Sequence, residues 1–161
     1  MKAGTVVENI EPILAEHPFF AEMDQVFLGS ILDIASNVKF DAGTYIFKEG
    51  DQANAFYLLR EGKVALEIFA PARKPIIIDT LDGGDTLGWS WVLSPFVWKF
   101  SAHAKSSVRA IALDATSLRA KCAEDHKLGY ELLSRLARIM ERRLEATRFQ
   151  LMDIYGTHIS G

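Results

Sequence analysis

Few residues in this chain stand where they could do bond-making chemistry. The four histidines, His17, His103, His126 and His158, are isolated in sequence, and only His103 falls on a run that reads as a strand. A metal centre on a β-scaffold needs two or three histidines and a carboxylate converging, with a His-x-His type pair along a strand. That spacing is missing, so no metal ligand is assigned, and a cupin-like metalloenzyme stands only as an outlying alternative. The single cysteine, Cys122, has no disulfide partner and sits in the helical-looking run SLRAKCAED, where a buried, neutral thiol is expected. No catalytic residue is assigned, and the chain is read as a non-enzyme.

Binding chemistry concentrates between Leu87 and Ser106. Gly88, Ser90 and Ser101 offer neutral donors, and a helix amino terminus expected near Gly88 would add backbone N–H groups for a phosphate or carboxylate. Trp89, Trp91, Phe96, Trp98 and Phe100 crowd the same stretch, and aromatic linings suit planar ligands. Lys99 supplies a cation, but strand alternation turns it to the face opposite Phe100.

The elements that must position these residues follow from periodicity. From Val6 to Val38 apolar residues recur at three and four (Ile10, Ile13, Leu14, then Phe27, Ile31, Ile34), interrupted at His17-Pro18. Two helices result, with Asp24 as cap of the second. After Lys39, short runs of branched and aromatic residues (TYIF, AFYLL, KVALEIF, KPIIIDTL) alternate with turns at Asp41-Ala42-Gly43, Glu49-Gly50-Asp51, Glu61-Gly62 and Asp82-Gly83-Gly84-Asp85. FSAHAKS and VRAIALD continue the strand pattern. No crossover helices intervene, which predicts a mainly β fold with flanking helices: an antiparallel, jelly-roll-like β-roll. The pattern turns helical again over Ala115 to Glu124 and from about Lys127 to Tyr155. A single domain over residues 1–161 is expected, with a helical lead-in at 1–37, the roll at 38–114, helices at 115–155 and no DNA-binding domain.

The last helix carries two apolar stripes. Leu133, Ala137, Met140, Leu144, Thr147, Leu151 and Ile154 follow the alternating four-and-three spacing of a coiled-coil seam, and Leu132, Leu136 and Ile139 form a second strip. A helix that packs only on its own roll needs one stripe. The second implies another copy of the chain, and a homodimer along this helix is expected.

Charge and composition narrow the partners. A net charge of −3 and a pI near 5.8 have the wrong sign for neutralising nucleic-acid phosphates. Basic residues near the carboxyl end alternate with acids at helical spacing, as in Glu131 with Arg135 and Arg138 with Glu141, and read as a solvated face. No run of eighteen apolar residues occurs, and the amino terminus lacks a secretory pattern. A cytoplasmic protein that binds neither membrane nor nucleic acid directly is expected.

The stretch from Ile46 to Val64, IFKEGDQANAFYLLREGKV, resembles the first signature of the cyclic nucleotide-binding domain family, which includes catabolite-activator-type regulators, kinase regulatory subunits and channel gating domains. In that pattern Gly50 and Gly62 make tight turns, and Phe56 to Leu59 form a strand buried on both faces. Leu87-Gly88 and Ser101-Ala102-His103-Ala104-Lys105-Ser106 resemble the two ends of the family's phosphate-binding cassette. The resemblance implies a glutamate for the ribose hydroxyl and an arginine for the cyclic phosphate. Here Trp89 stands at the glutamate, Trp91 at a small residue and Phe100 at the arginine. Each charge-assisted contact contributes about 1.5 to 3 kcal/mol. Losing both weakens binding by roughly two to four powers of ten.

The resemblance therefore implies a regulatory small-ligand sensor module that signals through its dimer helix to a partner protein, with non-standard or lost cAMP and cGMP binding. Its ligand set would be Gly88, Trp89, Ser90, Lys99, Phe100, Ser101 and Ala102, with Thr147 and Arg148 from the dimer helix. Two readings of the pocket stay open. One takes a cyclic nucleotide or another small anionic or aromatic ligand, and the other makes the chain a structural dimerisation module whose pocket the tryptophans fill.

Overall fold

A computed structural model describes residues 9–159, with side chains described for residues 9–156. The start of the expected lead-in at Val6 and the side chain of His158 lie outside the described residues.

Helix α1 (Ile10–Glu16) starts where the Asn9 side chain accepts from the Glu11 N–H, 3.3 Å away. It stops at His17, which turns extended ahead of Pro18, and a single 3-10 turn follows over Pro18–Phe20. Asp24 then caps α2 (Gln25–Ile31) by accepting from the Val26 N–H at 2.9 Å.

The lead-in is shorter than its apolar spacing suggests. Ala35, Ser36 and Asn37 already belong to β1 (Ala35–Phe40), because they pair antiparallel with Leu113, Ala112 and Ile111 of β7 (Val108–Asp114). Cross-strand pairing overrides the local pattern. The remaining strands are β2 (Tyr45–Phe47), β3 (Ala55–Glu61), β4 (Val64–Ile68), β5 (Ile76–Leu81) and β6 (Ser101–Ala104). They form two antiparallel sheets, ordered β1-β7-β3 and β2-β6-β4-β5. Phe56, Leu58 and Leu59 from β3, Leu66 from β4 and Ile111 and Leu113 from β7 are all buried.

The β3–β4 turn requires glycine. Gly62 has φ +97°, and a Cβ on it would lie 2.4 Å from the Ser107 carbonyl oxygen and 2.9 Å from Val108 Cα. Between β5 and β6 the helix expected near Gly88 is not formed. Residues there make a turn instead, in which the Val92 N–H donates to the Trp89 carbonyl at 3.0 Å. The anion site of a helix amino terminus is therefore missing from this stretch.

Helices α3 (Ala115–Glu124) and α4 (His126–Ile159) complete the chain, which divides into two compact units, Met1–Lys121 and Cys122–Gly161. Within α4 the two apolar stripes differ in exposure. Leu128, Leu132 and Leu136 are buried, whereas Leu133, Leu144, Leu151 and Ile154 of the heptad seam are about half exposed. No described helix is long and apolar enough to cross a membrane.

Candidate ligand site

The cassette stretch is organised around one tryptophan. The Trp98 N–H donates to the Asp51 carbonyl and its own carbonyl accepts from the Gly50 N–H, both at 2.9 Å, so the turn of the first signature holds its backbone. Val97 bridges Gln52 in the same antiparallel sense. Thus pinned, the Trp98 ring lies flat on Phe47, with centroids 3.7 Å apart and planes 5° from parallel. Phe100 completes the cluster, tilted at 5.8 Å from Phe47 and 6.2 Å from Trp98.

These rings press on the backbone where the cassette begins. Gly88 has φ +68°, and a Cβ on it would lie 2.9 Å from Phe100 Cζ and 3.4 Å from Trp98 Cζ3. The space in front of Gly88 is thus taken by aromatic carbon, with Trp98 buried and Phe100 half-buried. A ring stack of this kind offers dispersion and offset π contacts to its own members. It offers no positive charge to an incoming phosphate.

The other expected ligand residues differ in burial and bonding. Ser101 is buried and its Oγ accepts from the Glu49 N–H at 2.9 Å, which commits that oxygen to the turn. Ala102 is buried opposite Leu66 and Phe47, and Ser90 is buried as well. Trp89 is half-buried, while Lys99 is exposed. Thr147 and Arg148 are exposed on α4, where the Thr147 hydroxyl donates to the Arg143 carbonyl at 2.8 Å.

Phe47, Trp98 and Arg119 are missing from the expected site residues. Arg119, on α3, donates to the Trp91 carbonyl at 2.7 Å and sets its guanidinium 4.1 Å from the Phe96 ring centroid. It therefore ties the aromatic loop down through a carbonyl and a π face, a contact worth about 0.5 to 1 kcal/mol at exposed sites. The Trp91 ring stacks on Phe56 at 5.0 Å, and its buried Nε1–H finds no acceptor among the described residues. The signal for Trp98 was its place two residues before Phe100; nothing local marked Arg119.

His103 has a different task from metal binding. Its Nδ1 lies 2.7 Å from Oε1 of the buried Glu67, its Nε2 lies 3.1 Å from the Gly43 carbonyl, and its ring stacks on Tyr45 at 4.3 Å. The Tyr45 hydroxyl donates to Glu67 Oε2 at 3.3 Å. Burial first, then the nearby carboxylate, pushes the Tyr45 phenol above its ordinary range. Among the described residues no three His, Cys, Asp or Glu side chains converge as a metal site would require. Cys122 is half-buried, and burial pushes its thiol pKa up, ahead of a smaller effect from Asp125.

Comparison with known proteins places this geometry in a family. The sequence profile of the cyclic nucleotide-binding domain matches residues 37–125. A CRP-like cAMP-activated global transcriptional regulator of Mycobacterium tuberculosis is 26% identical over 152 residues, covering 94% of this chain and 66% of the regulator. A cAMP-dependent protein kinase regulatory subunit of Emericella nidulans is 32% identical over 103 residues, covering 64% of this chain and 24% of the subunit. Among solved structures, a cyclic nucleotide-binding protein of Geobacter metallireducens superposes with a TM-score of 0.74 at 28% identity, covering 83% of this chain and 97% of that one. The chain belongs to the cyclic nucleotide-binding domain family. It spans just under two thirds of the mycobacterial regulator's length, and the two curated relatives named above are a transcriptional regulator and a kinase regulatory subunit.

Proposed function

We propose that this chain is a non-enzymatic regulatory domain whose pocket is closed to cyclic nucleotides and whose output passes to a partner protein through pairing of α4 with a second copy. The observation that carries this reading is the contact at Gly88, where a Cβ would lie 2.9 Å from Phe100 Cζ. The ring stands where the family places an arginine, and Trp98 stacked on Phe47 backs it. A cyclic phosphate entering there would lose its water and meet no compensating charge. The half-exposed seam of Leu133, Leu144, Leu151 and Ile154 supports the second half of the reading. It follows heptad spacing, so a partner helix can bury it by knobs-into-holes packing.

Calorimetry with cAMP and cGMP tests the first half. No heat is expected at low-micromolar nucleotide, since affinity should be about a hundredfold or more below that of an intact site. Tight binding would overturn the reading, and Lys99→Ala would then show whether Lys99 supplies the missing cation. Sedimentation tests the second half: a dimer is expected for the native chain and a monomer for Met140→Glu with Leu144→Glu. An unchanged mass would show that α4 does not carry the dimer.

A further inference from the structure

The loop between Gly88 and Trp98 is held in a shape that two of its own groups oppose. The Trp91 side chain is 1% exposed, and among the described residues its Nε1–H finds no acceptor. A buried donor left without a partner loses its hydration for nothing in return. Phe96 has φ +58°, a left-handed conformation that bulky side chains rarely adopt. Arg119 works against both, since its guanidinium donates to the Trp91 carbonyl at 2.7 Å and lies 4.1 Å from the centroid of the Phe96 ring. Leu93 to Pro95, the outer part of the loop, are exposed, so it has room to move outward.

Arg119 has more to offer than one neutral carbonyl takes up. Its Nη2 donates to the Thr116 hydroxyl at 3.4 Å, and among the described residues no carboxylate pairs with it. Asp114 lies close enough to feel its charge, yet accepts from the Ser117 N–H at 2.9 Å instead. A planar guanidinium in this state keeps the geometry for a charged, two-oxygen acceptor. Trp91 thus presents one carbonyl oxygen toward Arg119 and one flat apolar ring toward Phe56. A small molecule with a carboxylate on a short arm from an aromatic ring presents the same two features. Its acceptor is charged, and it has no indole N–H to bury.

We propose that Trp91 is an internal stand-in for such a ligand: Arg119 and Phe56 form a site for an aromatic carboxylate, which the loop occupies until the ligand displaces it. Arg119 takes the carboxylate, and Phe56 takes the face of the ring. Displacement gives the Trp91 N–H to water and lets Phe96 leave its left-handed backbone, so the loop opens as the site fills. The site rests on the regulatory reading for what the opening signals. Neither the closure to cyclic nucleotides nor the pairing of α4 bears on whether it binds.

The probe is naphthalene-1-acetate, whose fused rings approach an indole in area. It is titrated into the full native chain and followed by nuclear magnetic resonance of the Trp91 indole N–H, a signal that Trp91→Phe identifies. That signal should shift and exchange with solvent about tenfold faster or more as the probe binds, with a dissociation constant of about 1 mM or lower. Trp91→Ala empties the site and should tighten binding about tenfold, since the probe no longer competes with the loop. Arg119→Met should weaken binding about tenfold or more with unchanged circular dichroism, and the neutral naphthalene-1-acetamide should bind the native chain about tenfold more weakly than the acid. An indole signal that stays still through the titration overturns the proposal, whether or not Trp91→Ala folds. Binding that survives Arg119→Met, or that the amide matches, overturns it as well, because the probe then sits elsewhere. Heat from cyclic AMP, or a native chain that is monomeric, would overturn the function proposed above and leave this site standing.

Discussion

The β3–β4 hairpin and the cassette that follows β5 are both built on glycine, yet they have fared differently. In the hairpin the turn and the strand beside it remain as the family pattern has them: Gly62 packs against the Ser107 carbonyl, and Phe56, Leu58 and Leu59 are buried. In the cassette Gly88 remains, but aromatic rings press on it, at positions where the resemblance implies charged anchors. Backbone sterics explain the contrast. A positive-φ turn against another backbone admits no alternative residue, whereas a ligand anchor is constrained only by its ligand. On the function proposed above, packing rather than a ligand decides what fills the space.

The largest expected effect comes from removing that packing. Trp98→Ala should lower unfolding free energy by about 3 to 5 kcal/mol, because a buried ring stacked on Phe47 leaves a cavity that the pinned backbone at Gly50 and Asp51 cannot collapse. Urea denaturation measures it. A loss below about 1 kcal/mol would put the ring among surface substitutions and break the comparison, since the cassette would then be loosely filled.

Gly62→Ala comes next, at about 2 to 4 kcal/mol, through a strained φ and a Cβ pressed against the Ser107 carbonyl. The neighbouring Gly50 sharpens the point. It too has a positive φ, +92°, but a Cβ there meets nothing within 4 Å. Gly50→Ala should therefore cost only the conformational part, about 1 kcal/mol or somewhat more. Equal losses at the two glycines would show that backbone strain alone, and not the close approach, sets the cost.

How much of this was legible in the sequence differs by region for the same reason. The roll was legible because its corners are glycines between alternating apolar runs; the last two strands fall in the runs FSAHAKS and VRAIALD, and α3 matches the helix read over Ala115 to Glu124. Ala35 to Asn37 were not, since a small residue, a serine and an asparagine carry no strand signal until β7 pairs with them. Both stripes of α4 were visible as periodicities, but which of them is buried is a tertiary fact. In the cassette the aromatic residues Trp89, Trp91 and Phe100 could be read directly, at the positions where the resemblance implies a glutamate, a small residue and an arginine. The flat Trp98–Phe47 stack could not, because it joins residues about fifty positions apart and depends on hydrogen bonds to the Gly50 turn.

The smallest expected effect concerns how β3 is tied to the chain's start. His17 is buried, its Nδ1 accepts from the Phe19 N–H at 3.1 Å, and its Nε2 lies 2.8 Å from the Leu59 carbonyl. Those partners require the neutral ring with its proton on Nε2, since a second proton on Nδ1 would face a donor. Burial accordingly lowers the His17 pKa below the ordinary 6.5, outweighing the Leu59 hydrogen bond and the more distant Asp85, which act in the opposite direction. With a lowered folded pKa, the unfolded chain binds the proton first as pH drops. The stability tied to neutral His17 is thus present above about pH 6.5 and is lost as pH falls from there through the folded value. Its slope can reach at most about 1.4 kcal/mol per pH unit. Urea midpoints of the native chain and His17→Gln, compared between pH 7.5 and pH 5, isolate it from the other histidines. The native chain should lose stability more steeply than the variant over that window, and parallel curves would show that the hairpin's carbonyl at Leu59 is held without regard to the charge on His17.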